Sequence, residues 1–184
     1  MSSSLVGSEM CIRDRAGGAF IKQYAQAGLQ GKIPLYSVFT VDSIALPKLQ
    51  KANMNGVMGS VMTQFWAPDL DTPQNKKFVS GFKKKYGRYP SFYAAQSYDT
   101  IFLIKSAVEA VKGDLSNKDG MRAAMEKANF PSVRGKFSYG NNHFPIQNFY
   151  SREVVKDSDG VWTTSVREVV LKNHQDTYAK DCSM

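Results

Sequence analysis

Chemistry-bearing residues are sparse in this sequence, and the most suggestive stand at the ends of predicted elements. FTVD, residues 39–42, closes and follows IPLYSVF, a mostly apolar run at 33–39 that reads as a buried strand. In an open α/β sheet, ligands sit outside the carboxyl ends of the strands. That rule places Phe39, Thr40 and Asp42 where a ligand would be. A carboxylate there can accept charge-assisted hydrogen bonds, the stronger kind, from a cationic group. Asp42 also stands where an N-cap is expected, ahead of SIALPKLQKA, and the two roles can coexist. A second candidate is the aromatic pair Phe92-Tyr93, at the opening of a long predicted helix just past Pro90. Such rings offer a large apolar contact surface. At helical spacing aromatics usually serve as core. Trp66 has the same two readings, lining or packing.

Little else in the chain supports bond-making chemistry. His143 and His174 have no cysteine or carboxylate partners at zinc-ligand spacing, which makes them surface or packing residues. The sequence holds no G-x-S-x-G, H-E-x-x-H or Walker A pattern. Gly17-Gly18 is too little for a dinucleotide site. Neither catalysis nor a cofactor is expected.

The elements that would position these residues alternate at first. AFIKQYAQAG predicts a helix with Phe20, Tyr24 and Ala27 or Gly28 on one face. The strand at 33–39 follows, then a short helix over 43–52 opened by Asp42 or Ser43. Asn55-Gly56 makes a turn before VMGSVMTQFW, a second strand candidate. Helix, strand, helix, strand is the rhythm of a parallel α/β sheet. It then breaks. Thr72-Pro73 is a well-formed helix start, and that helix runs to a stop at Gly87. A longer helix at about 91–112 should face a core with Phe92, Ala95, Tyr98, Phe102 and Val108. A third opens at Ser116–Asp119 in the manner of a capping box, with Asp in place of Glu or Gln. The final third is β, with a strand at 133–139 and a hairpin whose arms, FYSREVVK and VWTTSVREVV, flank the turn DSDG.

Composition narrows the classes. Hydrophobic content of 42% is that of an ordinary globular protein. No apolar run approaches the ~18 residues of a membrane span. The formal charge is +8, with Lys76-Lys77 and Lys83-Lys84-Lys85 on a helix whose other face is Phe78, Phe82 and Tyr86. A solvated helix face accounts for these lysines, and no recognition helix or RNA-binding motif accompanies them. No nucleic-acid partner is expected.

One stretch stands apart. LVGSEMCIRDR, residues 5–15, has no period, no apolar core for a secretory leader, and acids that cancel its arginines. It resembles a translated sequencing adaptor, so native sequence is expected to begin near Ala16 or Gly17, with residues 1–15 excluded from the fold. Setting it aside removes Cys11 and leaves Cys182 with no disulfide to infer.

Three segments in succession, FIKQYAQAGLQGKIPLYSVFTVD, PDLDTPQNKKFVSGFKKKYGRYPSFYAAQSYDT and SVRGKFSYGNNHFPIQNFYSREVVKDSDG, carry a family likeness. Their order resembles the C-terminal half of the periplasmic substrate-binding proteins of ABC transporters. The similarity is to the branched-chain amino acid type and to relatives that carry aromatic carboxylates.

The resemblance implies an α/β fold, periplasmic binding protein type I. Two doubly wound lobes joined by three crossovers would close on a ligand by hinge bending. It assigns 16–64 and 140–184 to the C-terminal lobe, and 65–139 to N-terminal-lobe helices and crossovers. It places Asp42 on the family's ammonium acceptor, with Asp for the more familiar Glu, and Phe92 or Tyr93 on the family's ligand-side aromatic. It further implies a periplasmic location, with the leader missing from this fragment, and ABC permease subunits as partners. The ligand would be a branched-chain amino acid or an aromatic acid. A sensory ligand-binding domain of the same fold is the alternative, and a doubly wound enzyme would need a phosphate loop or catalytic constellation. A chain with only this half is expected to bind no ligand tightly and to expose patches such as Phe78/Phe82.

Overall fold

The computed structural model describes residues 16–37 and 41–182. The chain divides into two units. The first holds the described residues up to Gln64 together with Ser151–Arg167, and the second holds Phe65–Tyr150 and the described residues from Glu168 onward. The adaptor-like segment lies outside the described residues.

The first unit is organised around an apolar cluster of Ile21, Val41, Leu46, Leu49, Val57, Met62, Val154 and Trp162. Helix α1 (16–26) reaches it through Ile21, with Tyr24 buried on the same side. Phe20, expected on one face with Tyr24, is 53% exposed. The i, i+3 spacing from Ile21 to Tyr24 selects the neighbouring face instead. The Tyr24 hydroxyl donates to the Ile33 carbonyl. Gly56 lies so close to α1 that a Cβ there would meet that of Ala25 at 2.6 Å, a contact only glycine allows.

Strand β1 (Tyr36–Ser37) runs parallel to β2 (Val61–Gln64), with Tyr36 opposite Val61 and Ser37 opposite Met62. Among the described residues the strand is shorter than the 33–39 expected. The Ile33 N–H is spent on the Leu29 carbonyl, and Pro34 has none to give. Tyr36 is also exposed rather than buried. Helix α2 (Leu46–Lys51) is likewise shorter than 43–52, because residues 43–45 form a turn held by Asp42.

Gly59 and Ser60 hydrogen-bond to Val154 of β4 (Pro145–Lys156), which turns at Asp157–Gly160 into β5 (Trp162–His174) as DSDG predicts. Asp157 organises that turn, its Oδ1 accepting from the Asp159 and Val161 N–H groups. Gln50 of α2 ties the hairpin down by donating to the Gly160 carbonyl and accepting from the Trp162 N–H.

The second unit is mainly helical. Thr72 caps α3 (Pro73–Tyr86) by accepting from the Asn75 N–H at 3.2 Å, Pro73 sits in the first turn, and Gly87 closes the helix in the left-handed region (φ 65°). Phe78 is buried and Phe82 half-buried, which corrects the exposed patch expected there. Trp66, Phe82 and Tyr98 of α4 (Phe92–Ala110) cover Phe78 with ring centroids at 6.1, 6.0 and 4.7 Å. Asn117, not Ser116, caps α5 (Lys118–Lys127), because the Ser116 N–H and hydroxyl both bind Asp114.

Strand β3 is only Ser138–Tyr139, antiparallel to the start of β4. The expected strand at 133–139 fails at its front for a specific reason. The N–H groups of Val133 and Arg134 go to the side chains of Asp99 and Ser132, leaving none for a ladder.

Candidate ligand-binding residues

Asp42 is held in place by its own backbone. Val41 is 1% exposed and anchors the turn in the first unit's core, while Asp42 and Ser43 are buried beside it. Asp42 Oδ1 accepts hydrogen bonds from the N–H groups of Ile44 (2.8 Å) and Ala45 (3.0 Å), and its carbonyl accepts from Leu46 (2.8 Å). These bonds satisfy donors that the start of α2 would otherwise leave open. Asp42 therefore holds the turn ahead of α2 rather than capping the helix, whose N-cap is Ala45 without a side-chain bond. Among the described residues Oδ2 makes no hydrogen bond. A cavity of about 270 Å³ beside α2 is lined by Ile44, Ala45, Lys48, Leu49 and Met54, and Asp42 is not among its walls. Phe39 and Thr40 lie outside the described residues.

Phe92 and Tyr93 open α4, where the Ser91 hydroxyl accepts from the Ala94 N–H at 3.3 Å. The two rings lie 3.9 Å apart, centroid to centroid, and differ in role. Phe92 is buried and meets Phe65 edge-on at 6.0 Å. Tyr93 is 49% exposed and offers a face to solvent. Both belong to the second unit, Asp42 to the first. Trp66 packs rather than lines: it is fully buried, and its indole N–H donates to Asn75 Oδ1 at 2.8 Å. The Asn75 amide nitrogen in turn reaches the carbonyls of Ala67, Pro68 and Leu70 at 3.1–3.3 Å, fixing the approach to α3.

Sequence reasoning missed a polar knot beneath these aromatics. Asp99, 1% exposed, accepts from the Ser132 hydroxyl (2.6 Å), the Val133 N–H (2.9 Å) and Arg134 Nε (3.0 Å). Arg134 Nη1 donates to Gln147 Oε1 at 2.9 Å. The guanidinium lies over the rings of Phe65 and Phe137 at 5.1 and 4.4 Å. A signal was available. Asp99 falls four residues after Ala95 and seven after Phe92, on the face of α4 assigned to core. A carboxylate there requires a buried partner.

The histidines take no part. His143 Nε2 stands 3.4 Å from Glu126 Oε1 near the surface, and His174 packs edge-on against Phe149. No group of three or more metal-ligating side chains gathers among the described residues. Two carboxyls with displaced titration lie elsewhere. Lys76 holds Asp71 below its ordinary value by hydrogen bond and charge, and hydrogen bonds from Ser116 do the same for Asp114.

The architecture is mixed α/β, with β1 and β2 parallel and β3 and β4 antiparallel. The chain belongs to the periplasmic binding protein family, whose pattern matches residues 14–160. A Leu/Ile/Val-binding protein homologue of Brucella abortus is 31% identical over 150 residues, 78% of this chain and 37% of that one. An ABC-transporter solute-binding protein of Rhodopseudomonas palustris, solved with benzoate, is 31% identical with a TM-score of 0.71, covering 88% of this chain and 42% of its own. Another, from strain HaA2 and solved with p-hydroxybenzoic acid, is 28% identical with a TM-score of 0.72, covering 88% and 44%. The chain thus spans about two fifths of the length of these relatives.

Proposed function

We propose that this chain is the C-terminal part of an ABC-transporter substrate-binding protein. The complete protein captures a small carboxylic acid in the periplasm and delivers it to a membrane permease. The family match over residues 14–160 carries this reading. Relatives at 31% identity bracket the ligand class: one is named for leucine, isoleucine and valine, and another was solved with benzoate. The ligand is a branched-chain amino acid or an aromatic carboxylate. In this reading the first unit belongs to the C-terminal lobe and helices α3–α5 to the N-terminal lobe. Asp42 Oδ2 accepts the ammonium of an amino-acid ligand while Oδ1 holds the turn. Tyr93 supplies the apolar wall, with Phe92 behind it, and Phe39 and Thr40 contribute further ligand contacts.

Calorimetric titration of the complete protein, restored from its gene, with leucine and with benzoate tests the proposal. Binding of either at micromolar concentration is expected. Failure to bind any small amino or aromatic acid overturns it. Asp42→Asn then sorts the ligand class: a ligand with an ammonium should lose about 1.5–3 kcal/mol, the scale of a hydrogen bond to a charged group. An aromatic carboxylate should lose far less.

A further inference from the structure

The positive charge of this protein is concentrated rather than spread. Residues 72–98 carry Lys76, Lys77, Lys83, Lys84, Lys85 and Arg88 and not one Asp or Glu, in a chain whose net charge is +8. Lys76 is paired with Asp71. Lys84, Lys85 and Arg88 make no ion pair among the described residues, and all three are exposed.

The end of α3 gathers them. Gly87, in the left-handed region, reverses the chain so that residues 88 and 89 fold back on the helix's last turns. Arg88 then lies over the Phe82 ring at 5.6 Å, Lys85 over Tyr86 at 5.3 Å and Lys83 over Tyr89 at 4.1 Å. Tyr86 remains 54% exposed in the middle of the group. Part of this charge answers the negative end of the helix dipole, a role one or two cations can fill. The dipole does not call for so many cations, nor for an exposed tyrosine among them.

We propose that the C-terminal end of α3 is a docking surface for a bilayer carrying anionic headgroups, with Lys84, Lys85 and Arg88 as its cations and Tyr86 as its interfacial ring. Recognition of discrete carboxylates on an acidic protein favours arginine, whose planar fork binds them in bidentate fashion. Lysines are point charges on flexible stems and suit a diffuse negative surface, where each contributes about fivefold in binding. Tyrosine is enriched where one end of a side chain is apolar and the other wet. The proposal is independent of ligand identity and goes beyond the transport reading.

The test is sedimentation of the complete protein, restored from its gene, with vesicles of phosphatidylcholine alone, or with phosphatidylglycerol added. Preferential binding to the anionic vesicles, abolished by high salt, is expected. Lys84→Gln/Lys85→Gln/Arg88→Gln should weaken it by at least about thirtyfold. Lys22→Gln/Lys48→Gln/Lys51→Gln, which removes the same charge from the first unit, should leave it within about twofold. Circular dichroism checks that both variants stay folded. Equal binding to neutral vesicles, or equal loss in both variants, overturns the proposal. So does retention on polyglutamate at lower protein concentration than on vesicles, which would point to an acidic protein partner.

Discussion

Asp99 and Asp42 are both buried carboxylates, and they are employed differently. Asp99 spends both oxygens inside the second unit, on a hydroxyl, a backbone N–H and a guanidinium. Asp42 spends one oxygen on two backbone donors of a turn and, among the described residues, holds the other back. A carboxylate whose acceptors are filled from within is a brace. One that is positioned by its backbone, with no partner on its second oxygen among the described residues, is suited to meet something from outside. Burial alone does not separate the two, since both are less than a tenth exposed.

The sharpest way to break this contrast is to remove the brace. Asp99→Ala leaves the Arg134 guanidinium buried without its carboxylate and should lower the unfolding free energy by about 3–5 kcal/mol. Trp66 lies in the second unit and Trp162 in the first. Urea unfolding in a Trp162→Phe background therefore reads the change through Trp66. Replacing both partners, Asp99→Leu with Arg134→Met, should recover most of the loss. If the double variant is no better than the single, Asp99 matters for shape and not as half of an ion pair.

A neutral hub in the same unit should weigh less. Asn75→Leu strands the Trp66 indole N–H and three carbonyls that Asn75 now serves. The expected cost is about 2–3 kcal/mol in the same assay, the range for buried groups left unpaired. A loss as large as that of Asp99→Ala would mean that charge adds nothing to the brace.

What the sequence disclosed follows the same division. Local rules carried far: Thr72-Pro73 and Gly87 bound α3, DSDG makes its hairpin, and the alternation of helix and strand announces the α/β class. Some failures were local, as where Ser116 turns to Asp114, and one came where a distant side chain claimed a backbone donor. Asp99, more than thirty residues away, takes the Val133 N–H and ends the expected strand at its front. Trp66 and Tyr98 cover Phe78, which periodicity alone could not report. The candidate site was legible only as position. The loop after the strand and the start of α4 could be named, but not that Phe92 is buried while Tyr93 is offered to solvent.

The smaller predictions concern Asp42, and they separate its two roles. Asp42→Ala removes the acceptor for the Ile44 and Ala45 N–H groups and should cost about 1 kcal/mol, the usual value for a lost cap. Trp162, read in a Trp66→Phe background, reports this change in the first unit.

Asp42→Asn should barely register in the same experiment. Asparagine caps about as well as aspartate, and its side-chain oxygen can take the place of Oδ1 on the two N–H groups. The expected stability change is below about 0.5 kcal/mol. The substitution does remove the negative charge from the carboxyl group. If the complete Asp42→Asn protein then loses affinity for an amino acid while its unfolding midpoint stays in place, the loss belongs to the charge and not to a disordered turn. If stability and affinity fall together, Asp42 is a brace like Asp99, and the ammonium acceptor must be sought elsewhere.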